Sequence, residues 1–367
     1  MVEGPTPLER EIRERIGRTG PIPVAEFMTL CLYDPQYGYY NRRDPFGAAG
    51  DFITAPEISQ MFGELIGLWA ATVWRSMGAP DPVLLIELGP GRGTMMADAL
   101  RAVRAVSAFR AAARVHLIET SPDLQLRQRQ TLSGVDDVLL RWHATLDETP
   151  AGPAIILANE FFDALPIHQA ERRATGWHER TVTINAGGAF ALTVAKEPLP
   201  GFEQGLPPAV ARAPQGEIFE WRSDRFAVEI GRRVADGGAA LIIDYGHIKS
   251  APGDTFQAVR SHRYASPFAL PGLTDLTAHV DFEALGKAAS GAGARVHGPI
   301  EQVALLERLG IAARAATLQA NAAEDKRAGI AGALERLVGT GPNGMGTLFK
   351  AIGLSSPQLT ELPGFAP

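Results

Sequence analysis

The sequence of 367 residues has one cysteine, no long apolar run and no excess of positive charge. With Cys31 alone, the chain can form neither an internal disulfide nor a thiolate metal cluster, which suits a reducing compartment. No apolar stretch approaches the roughly 18 residues that a membrane-spanning helix needs. The eight histidines show no HExxH or other paired spacing, so we expect no metal site.

The charge balance argues against a protein that mainly binds nucleic acid. The formal net charge is -6, whereas proteins that bind nucleic acid usually present a basic face. The first residues, MVEGPTPLER, carry acidic side chains and lack the apolar segment of a secretory signal. We therefore expect a cytoplasmic protein without a nucleic-acid partner or a transmembrane segment.

The middle of the chain contains apolar segments rich in β-branched residues that alternate with helical patterns. Such alternation is typical of an α/β fold with a parallel sheet between helices. Strands are predicted at 83–89, 114–120, 138–143, 154–159 and 239–246, with weaker candidates at 294–300 and 346–354. A seven-stranded, mostly parallel, Rossmann-like sheet of this order matches the plan of class I methyltransferases.

The predicted strands divide the chain into three regions. Residues 81–163 and 217–367 form the Rossmann-like core, with a helix over 217–236 before the fifth strand and a helical part near the C-terminus. Residues 164–216 interrupt the alternation of strands and helices, and their pattern predicts an inserted antiparallel β-hairpin and loop. Residues 1–80 form an N-terminal helical and loop extension that we expect to act as a lid on the pocket.

The extension contains one strong helical pattern. From Pro56 onward, apolar residues recur at helical spacing, which predicts an amphipathic helix packed on the core. Thr54 and Glu57 fit a capping box at its start.

The segment VLLIELGPGRG at residues 83–93 is the most informative part of the sequence. An apolar strand with an acidic residue, Glu87, breaks into a glycine turn and re-enters a helix, which brings backbone amides up to a ligand. The glycines Gly89, Gly91 and Gly93 are evenly spaced, and Thr94 stands where the dinucleotide fingerprint would have its third glycine. This spacing favours S-adenosylmethionine; a plain connection between strand and helix is the alternative.

Glu119 supports the assignment of a cofactor pocket. It ends the second strand, 26 residues after Gly93, where open α/β cofactor folds place an acidic side chain that accepts hydrogen bonds from ribose hydroxyls. In the alternative interpretation, Glu119 belongs to the cap of the next helix. That helix has a cap of its own in Ser121, with Pro122 at its first position.

The fourth strand brings further polar residues to the same sheet edge, in the segment ANEFFDALP. Methyl transfer requires the protein to position the acceptor and to take up a proton, and paired carboxylates suit an arginine guanidinium. Glu57, Glu160 and Asp163 are the candidates for this catalytic role. His279 is a further candidate, although a lone histidine in such a place is more often structural. Asn159, Glu160 and Asp163 are also compatible with an ordinary turn.

Six blocks in order resemble the MidA family of class I methyltransferases across nearly the whole chain. They are GDFITAPEISQMFGELIG, IELGPGRGTMMADALR, IETSPDLQLRQRQ, LANEFFDALPIHQ, IDYG and DLTAHVDF. Mitochondrial members of this family are arginine methyltransferases that modify a subunit of respiratory complex I and are needed for its assembly. The cofactor-binding set that the turn and the resemblance together predict is Asp51, Thr54, Glu87, Gly89, Pro90, Gly91, Gly93, Glu119, Asn159 and Glu160.

The sequence therefore predicts an S-adenosylmethionine-dependent methyltransferase that modifies an arginine of a protein client. The resemblance implies that this client is a subunit of complex I. Because the presequence of the mitochondrial members is missing here, the corresponding subunit of a bacterial dehydrogenase and another protein are the alternative clients. Two alternatives stay open. One is methylation of a small molecule or RNA, and the other is an assembly factor that holds its client and has a vestigial cofactor pocket.

Overall fold

The computed structural model describes residues 4–42, 54–260 and 263–365. Within these ranges the helices are α1 (Pro7–Thr19), α2 (Val24–Tyr33), α3 (Tyr39–Arg42), α4 (Ala55–Ile58), α5 (Gln60–Ser76), α6 (Thr94–Ala102), α7 (Ser107–Ala112), α8 (Pro122–Thr131), α9 (Pro208–Ala211), α10 (Arg225–Ala235), α11 (Phe282–Gly291), α12 (Gln302–Arg308), α13 (Ile311–Asn321) and α14 (Glu324–Val338). The strands are β1 (Ile22–Pro23), β2 (Val83–Leu88), β3 (Ala113–Ile118), β4 (Leu139–His143), β5 (Ala154–Asn159), β6 (Ile167–Arg173), β7 (Gly176–Ile184), β8 (Phe190–Val194), β9 (Ile218–Arg222), β10 (Gly238–His247), β11 (Gln257–Arg260), β12 (Arg263–Ala265), β13 (Asp275–Thr277), β14 (Val280–Asp281), β15 (Arg295–Glu301) and β16 (Phe349–Ser355).

The chain forms two compact units, each assembled from three stretches. The first unit combines the described part of 1–52 with 163–223 and 249–281, and the second combines the described part of 53–162 with 224–248 and 282–367. These limits differ from the predicted regions in three places, the first being residues 217–223, which belong to the first unit and not to the Rossmann-like core. Residues 54–80 belong to the second unit and not to an N-terminal extension, whereas residues 249–281 belong to the first unit and not to the Rossmann-like core.

The second unit is built on a central sheet whose strands lie in the order β15, β16, β10, β5, β2, β3, β4. The pairings from β10 to β4 are parallel, whereas β16 pairs antiparallel with both β10 and β15. All six residues of β2 are buried, as expected for a parallel strand that is covered on both faces. The unit therefore has an α/β fold with a mixed central sheet.

The expected helix from Pro56 onward is divided into α4 and α5. Ser59 adopts an extended backbone between them, and its hydroxyl accepts a hydrogen bond from the Met61 N–H at 3.2 Å. The Thr54 side chain makes no capping hydrogen bond. The predicted capping box of Thr54 and Glu57 is therefore wrong, because Ser59 caps the long helix.

Helices α5 and α6 pack closely through glycines on α5. A Cβ atom on Gly67 would lie 2.6 Å from the Cα atom of Ala99, nearer than carbon atoms approach without a bond. The apolar face of α5, including Phe62, Ile66 and Trp69, is buried in the core together with Leu241 of β10. The glycines thus place α6, which follows the glycine turn, against the main core helix.

Glu64 of α5 is a buried carboxylate held by two arginines. It is 4% exposed, and it accepts hydrogen bonds from Arg101 at 3.0 Å and from Arg314 at 2.7 and 2.9 Å. Burial raises the pKa of Glu64, but the hydrogen bonds and charges of Arg314 and Arg101 outweigh burial, so the pKa lies below its ordinary value. The pair of arginines joins α5 to α6 and α13.

We expect Glu64→Gln to lower the free energy of unfolding at neutral pH by about 2 kcal/mol, because a hydrogen-bonded buried charge is lost. A lowered pKa stabilises the fold above the ordinary glutamate pKa, and this stabilisation is lost as the pH falls through the folded-state pKa. The difference between wild type and variant should therefore shrink below about pH 4.3. Urea unfolding across pH tests this, with the exposed Glu307→Gln as control; a pH-independent difference would contradict it.

The first unit contains two antiparallel sheets. One has the order β1, β7, β6, β9, with β8 paired to β7, and the other has the order β12, β11, β13. The hairpin expected within residues 164–216 is present between β7 and β8. The prediction of one helix over 217–236 is wrong in its first part, because residues 218–222 pair with β6 and bury Phe219 before α10 begins at Arg225.

The described residues include no helix that is long and apolar enough to span a bilayer.

Candidate cofactor and active site

The glycine turn connects β2 to α6 in the second unit. All three glycines have positive φ angles, 60° at Gly89, 53° at Gly91 and 82° at Gly93, and residues other than glycine rarely adopt this conformation. A Cβ atom on Gly89 would lie 2.9 Å from Cδ2 of Phe161. The turn therefore requires glycine, and it presents bare backbone beside the start of α6.

Glu119 lies beside this turn, because β2 and β3 are parallel neighbours with Leu88 opposite Ile118. The carboxylate is 9% exposed. One oxygen accepts a hydrogen bond from the Ser121 N–H at 2.8 Å, and the other accepts one from Gln128 at 3.2 Å. Ser121 caps α8 with its own hydroxyl, as predicted. Burial raises the pKa of Glu119, and the hydrogen bonds partly offset this.

Two buried oxygens at this end of the sheet lack a hydrogen-bond partner among the residues that the structure describes. They are Oε2 of Glu87, in β2, and Oδ1 of Asn159, at the end of β5. Burial raises the pKa of Glu87 to about 8. Unsatisfied buried polar atoms are costly and need a reason, so both atoms point to a polar partner outside the described residues.

Glu160 follows β5 with a left-handed backbone, at φ 50°. Its Oε1 atom accepts hydrogen bonds from the Ala55 N–H at 2.9 Å and from the Asn159 amide at 3.2 Å. Non-glycine residues in this conformation cost about 1–3 kcal/mol and cluster at functional sites. Glu160 thus connects the end of β5 to the start of α4.

Glu57 connects α4 to the glycine turn. The Thr94 hydroxyl donates to Oε1 of Glu57 at 2.5 Å, and the Arg92 guanidinium lies 3.6 Å from Oε2. Thr94 is the residue that stands where a dinucleotide fingerprint would have glycine, and its side chain is used for this contact. Both Glu57 oxygens are therefore engaged by residues of the turn and its helix.

The other two catalytic candidates, Asp163 and His279, lie in the first unit. The Asp163 carbonyl accepts a hydrogen bond from the Ala278 N–H at 3.1 Å. The His279 N–H donates to the Thr255 hydroxyl at 2.9 Å, and the His279 carbonyl accepts from Arg222 at 3.1 Å. The structure thus brings the segments of Asp163 and His279 together. Asp51 lies outside the described residues.

An aromatic and acidic group of the first unit escaped the sequence analysis. The rings of Tyr33 and Tyr40 stack with centroids 5.8 Å apart, and the Tyr40 hydroxyl donates to the buried Asp275 at 3.3 Å. Burial and the negative charges of Asp275 and Asp163 raise the pKa of Tyr40 well above its ordinary value. A run of tyrosines was the only sequence signal, and it did not indicate Asp275.

The comparisons with known proteins agree on the class of enzyme. A family described as "Putative S-adenosyl-L-methionine-dependent methyltransferase" matches residues 65–300. The protein arginine methyltransferase NDUFAF7 homolog, mitochondrial, of Drosophila melanogaster is 37% identical over 377 residues, covering 95% of this chain and 84% of that protein. The human protein arginine methyltransferase NDUFAF7, mitochondrial, is 37% identical and covers 84% of this chain and 74% of its own.

A solved structure covers the whole chain. It is a protein from Burkholderia thailandensis bound to S-adenosyl-homocysteine, with a TM-score of 0.84 and 30% identity, covering 100% of this chain and 98% of that one.

The comparisons correct one prediction and confirm another. Both curated relatives are named as mitochondrial proteins, so the prediction of a cytoplasmic protein is wrong. The resemblance to the MidA family is confirmed, and with it the cofactor, S-adenosylmethionine. The chain belongs to this family of S-adenosylmethionine-dependent methyltransferases.

Proposed function

We propose that this chain methylates an arginine side chain of a protein client, and that the client is a subunit of respiratory complex I or a related dehydrogenase. The observation that carries the proposal is 37% identity over 95% of the chain to a protein arginine methyltransferase. The MidA resemblance supports the complex I client. We further propose that the central sheet corresponds to the seven-stranded, mostly parallel class I arrangement.

The described residues fit the cofactor. The Glu119 carboxylate accepts hydrogen bonds from Ser121, Gln128 and the Thr120 backbone, and a carboxylate has about four acceptor sites, so Glu119 can also bind a ribose hydroxyl. The unsatisfied oxygens of Glu87 and Asn159 can pair with the polar groups of an amino-acid moiety. The turn of Gly89, Pro90, Gly91 and Gly93 allows close backbone approach, and we assign Thr54 to the lining of the same pocket; Asp51 lies outside the described residues and stays a prediction.

When bound, the cofactor supplies a methyl group that its sulfonium already activates. The chain must hold a guanidinium nitrogen in line with that methyl group, exclude water and accept the proton that the nitrogen loses. Glu160 is our first choice for orienting the guanidinium, because its carboxylate is held by Ala55 and Asn159 on a strained backbone. Asp163 and His279 are candidates for proton uptake. The contacts of Glu57 with Thr94 and Arg92 favour a positioning role for it.

Methyl transfer from a radiolabelled cofactor tests the proposal. The purified chain is incubated with extract from cells that lack its gene, and the labelled products are hydrolysed and separated. We expect label in methylarginine from protein. Label in RNA or in small molecules would support the corresponding alternative instead.

The remaining alternative, a holding factor with a vestigial pocket, makes a different prediction. Calorimetry would then detect no binding of S-adenosylmethionine or S-adenosyl-homocysteine, even at high concentration. Binding with a defined stoichiometry would exclude it.

We expect Glu119→Ala to raise the Kd for S-adenosyl-homocysteine about 10- to 100-fold, because hydrogen bonds to a charged group contribute about 1.5–3 kcal/mol. Isothermal titration calorimetry measures the Kd, and thermal unfolding of the ligand-free protein measures stability. The exposed Asp136→Ala, in the same unit, is the control. A lower unfolding temperature with unchanged affinity would instead favour the capping role of Glu119.

A further inference from the structure

Gln128 lies in helix α8 with a fully buried side chain, and both the oxygen and the nitrogen of its side-chain amide make hydrogen bonds. Its Oε1 atom accepts a hydrogen bond from the indole N–H of Trp142 at 2.9 Å. Its Nε2 atom donates to the carbonyl of Gly91 at 2.8 Å and to Oε2 of Glu119 at 3.2 Å. The amide therefore connects the glycine turn to the acidic residue after β3.

Trp142 determines which way this amide points. An indole N–H can only donate, so the amide oxygen of Gln128 must face Trp142, and the NH₂ group must face the two acceptors. The reversed amide would set two donors against each other and its oxygen against the oxygens of Gly91 and Glu119. The guanidinium of Arg129 lies 3.8 Å from the centre of the Trp142 ring, a cation–π contact that favours the observed ring position.

We propose that Gln128 is a positioning residue for the cofactor: it fixes the Glu119 carboxylate relative to the glycine turn and keeps that carboxylate charged. This inference rests on the proposed role of Glu119 in binding the ribose. The geometry supports it, since a single side chain holds both groups with its two N–H bonds. A hydrogen bond donated to a carboxylate also favours the charged form.

Burial disfavours the charged form of Glu119, so this form depends on hydrogen bonds that stabilise it. Burial raises the pKa of Glu119, whereas the hydrogen bonds from Ser121 and Gln128 lower it. A protonated carboxyl has one oxygen occupied by its own hydrogen and is the weaker acceptor for hydroxyl groups. Losing Gln128 should therefore raise the pKa of Glu119 and move the loss of cofactor affinity to higher pH.

Calorimetry with S-adenosyl-homocysteine across pH tests the inference on the full chain. We expect Gln128→Met, which keeps the size of the side chain but has no N–H donor, to raise the Kd about tenfold at neutral pH. The pH at which affinity declines should also rise. Gln130→Met, at an exposed position on the same helix, should match wild type in both measurements.

The pH profile separates positioning from packing, because a merely structural loss would weaken binding equally at every pH. The Glu119 N–H donates to the His143 carbonyl at 2.9 Å, the His143 and His116 side chains are 2.8 Å apart, and the charge of Arg141 lowers the pKa of His116. These groups are the same in wild type and in Gln128→Met, so the difference between the two profiles reports on Glu119.

Trp142→Phe provides a second variant that leaves Gln128 in place. It keeps an aromatic ring beside Arg129 but removes the indole N–H, so the amide can rotate. We expect a smaller rise in Kd and a shift of the profile in the same direction; if Gln128→Met does not fold, this variant decides the inference. An unchanged profile would then overturn it.

The outcomes distinguish this inference from the function on which it rests. If Glu119→Ala weakens binding while Gln128→Met binds like wild type at every pH, Gln128 only packs, and the inference is wrong. If neither substitution weakens binding, the assignment of Glu119 to the cofactor fails together with the inference.

Discussion

Gly91→Val is expected to abolish binding of S-adenosyl-homocysteine, with a rise in Kd of at least about a hundredfold, or about 2.7 kcal/mol. The φ angle of Gly91 is 53°, a conformation that a β-branched residue adopts only with strain. The carbonyl of Gly91 also accepts the hydrogen bond from Gln128. A valine would therefore both place a side chain on the bare face of the turn and displace the group that aligns it with Glu119.

A matched control removes the effect of backbone strain alone. Gly188 has a φ angle of 79°, and no atom lies within 4 Å of the position of its Cβ. Gly188→Val carries a comparable strain at the hairpin of the first unit, so it should lose stability but retain affinity. Calorimetry on both variants, with thermal unfolding alongside, makes the comparison. Full affinity in a folded Gly91→Val protein would rule out the pocket as described.

Gly67→Ala should lower the free energy of unfolding by about 3 kcal/mol, the upper part of the range for overpacked cores. The new Cβ atom would lie 2.6 Å from both the Cα and the carbonyl oxygen of Ala99. These are backbone atoms, so neither can rotate away, and α5 and α6 would have to separate. Since α6 starts at the glycine turn, we also expect weaker binding of S-adenosyl-homocysteine.

Gly332→Ala is the appropriate comparison for this prediction. Gly332 lies at an exposed position of helix α14 in the same unit, and no atom lies within 4 Å of its Cβ position. Alanine should stabilise the helix there by up to about 1 kcal/mol. Urea unfolding of the two variants should therefore give changes of opposite sign. If Gly67→Ala is as stable as wild type, the close packing of α5 on α6 is not as described.

The strands of the central sheet were predictable because their physics is local. The central strands β2, β5 and β10 are apolar runs, and buried parallel strands need no partner pattern to be recognised. The glycine turn was predictable for the same reason, since its positive φ angles demand glycine within a few residues of a strand end. The position of Glu119 beside the glycine turn was predictable because the carboxyl ends of neighbouring parallel strands lie at the same edge of the sheet.

The contacts that complete the site were not predictable, because each joins residues far apart in the sequence. From the sequence, Thr94 was assigned to the glycine turn and Glu57 to a capping box. In the structure the Thr94 hydroxyl instead donates a hydrogen bond to Glu57. Gln128 sits in a polar stretch of α8, where nothing distinguishes it from Gln125 or Gln130. Its role depends on Trp142, an aromatic residue of another strand.

The limits of the two units escaped prediction for a related reason. Residues 249–281 follow the strand β10 directly, so the sequence assigned them to the same core. Their short strands, β11, β12 and β13, instead pair with one another, and Ala258 and Leu276 are buried in the core of the first unit. Strand pairing within a unit overrides proximity along the chain.

The backbone of Glu160 exposes a conflict between robustness and catalysis. Its left-handed conformation is one that glycine adopts freely and glutamate adopts at a cost of about 1–3 kcal/mol. Selection for heat tolerance alone should therefore recover glycine at position 160, and the surviving proteins should be poorer enzymes if the carboxylate orients the acceptor. A library selected for both heat tolerance and methyltransferase activity would keep glutamate at position 160 and gain heat tolerance through substitutions elsewhere.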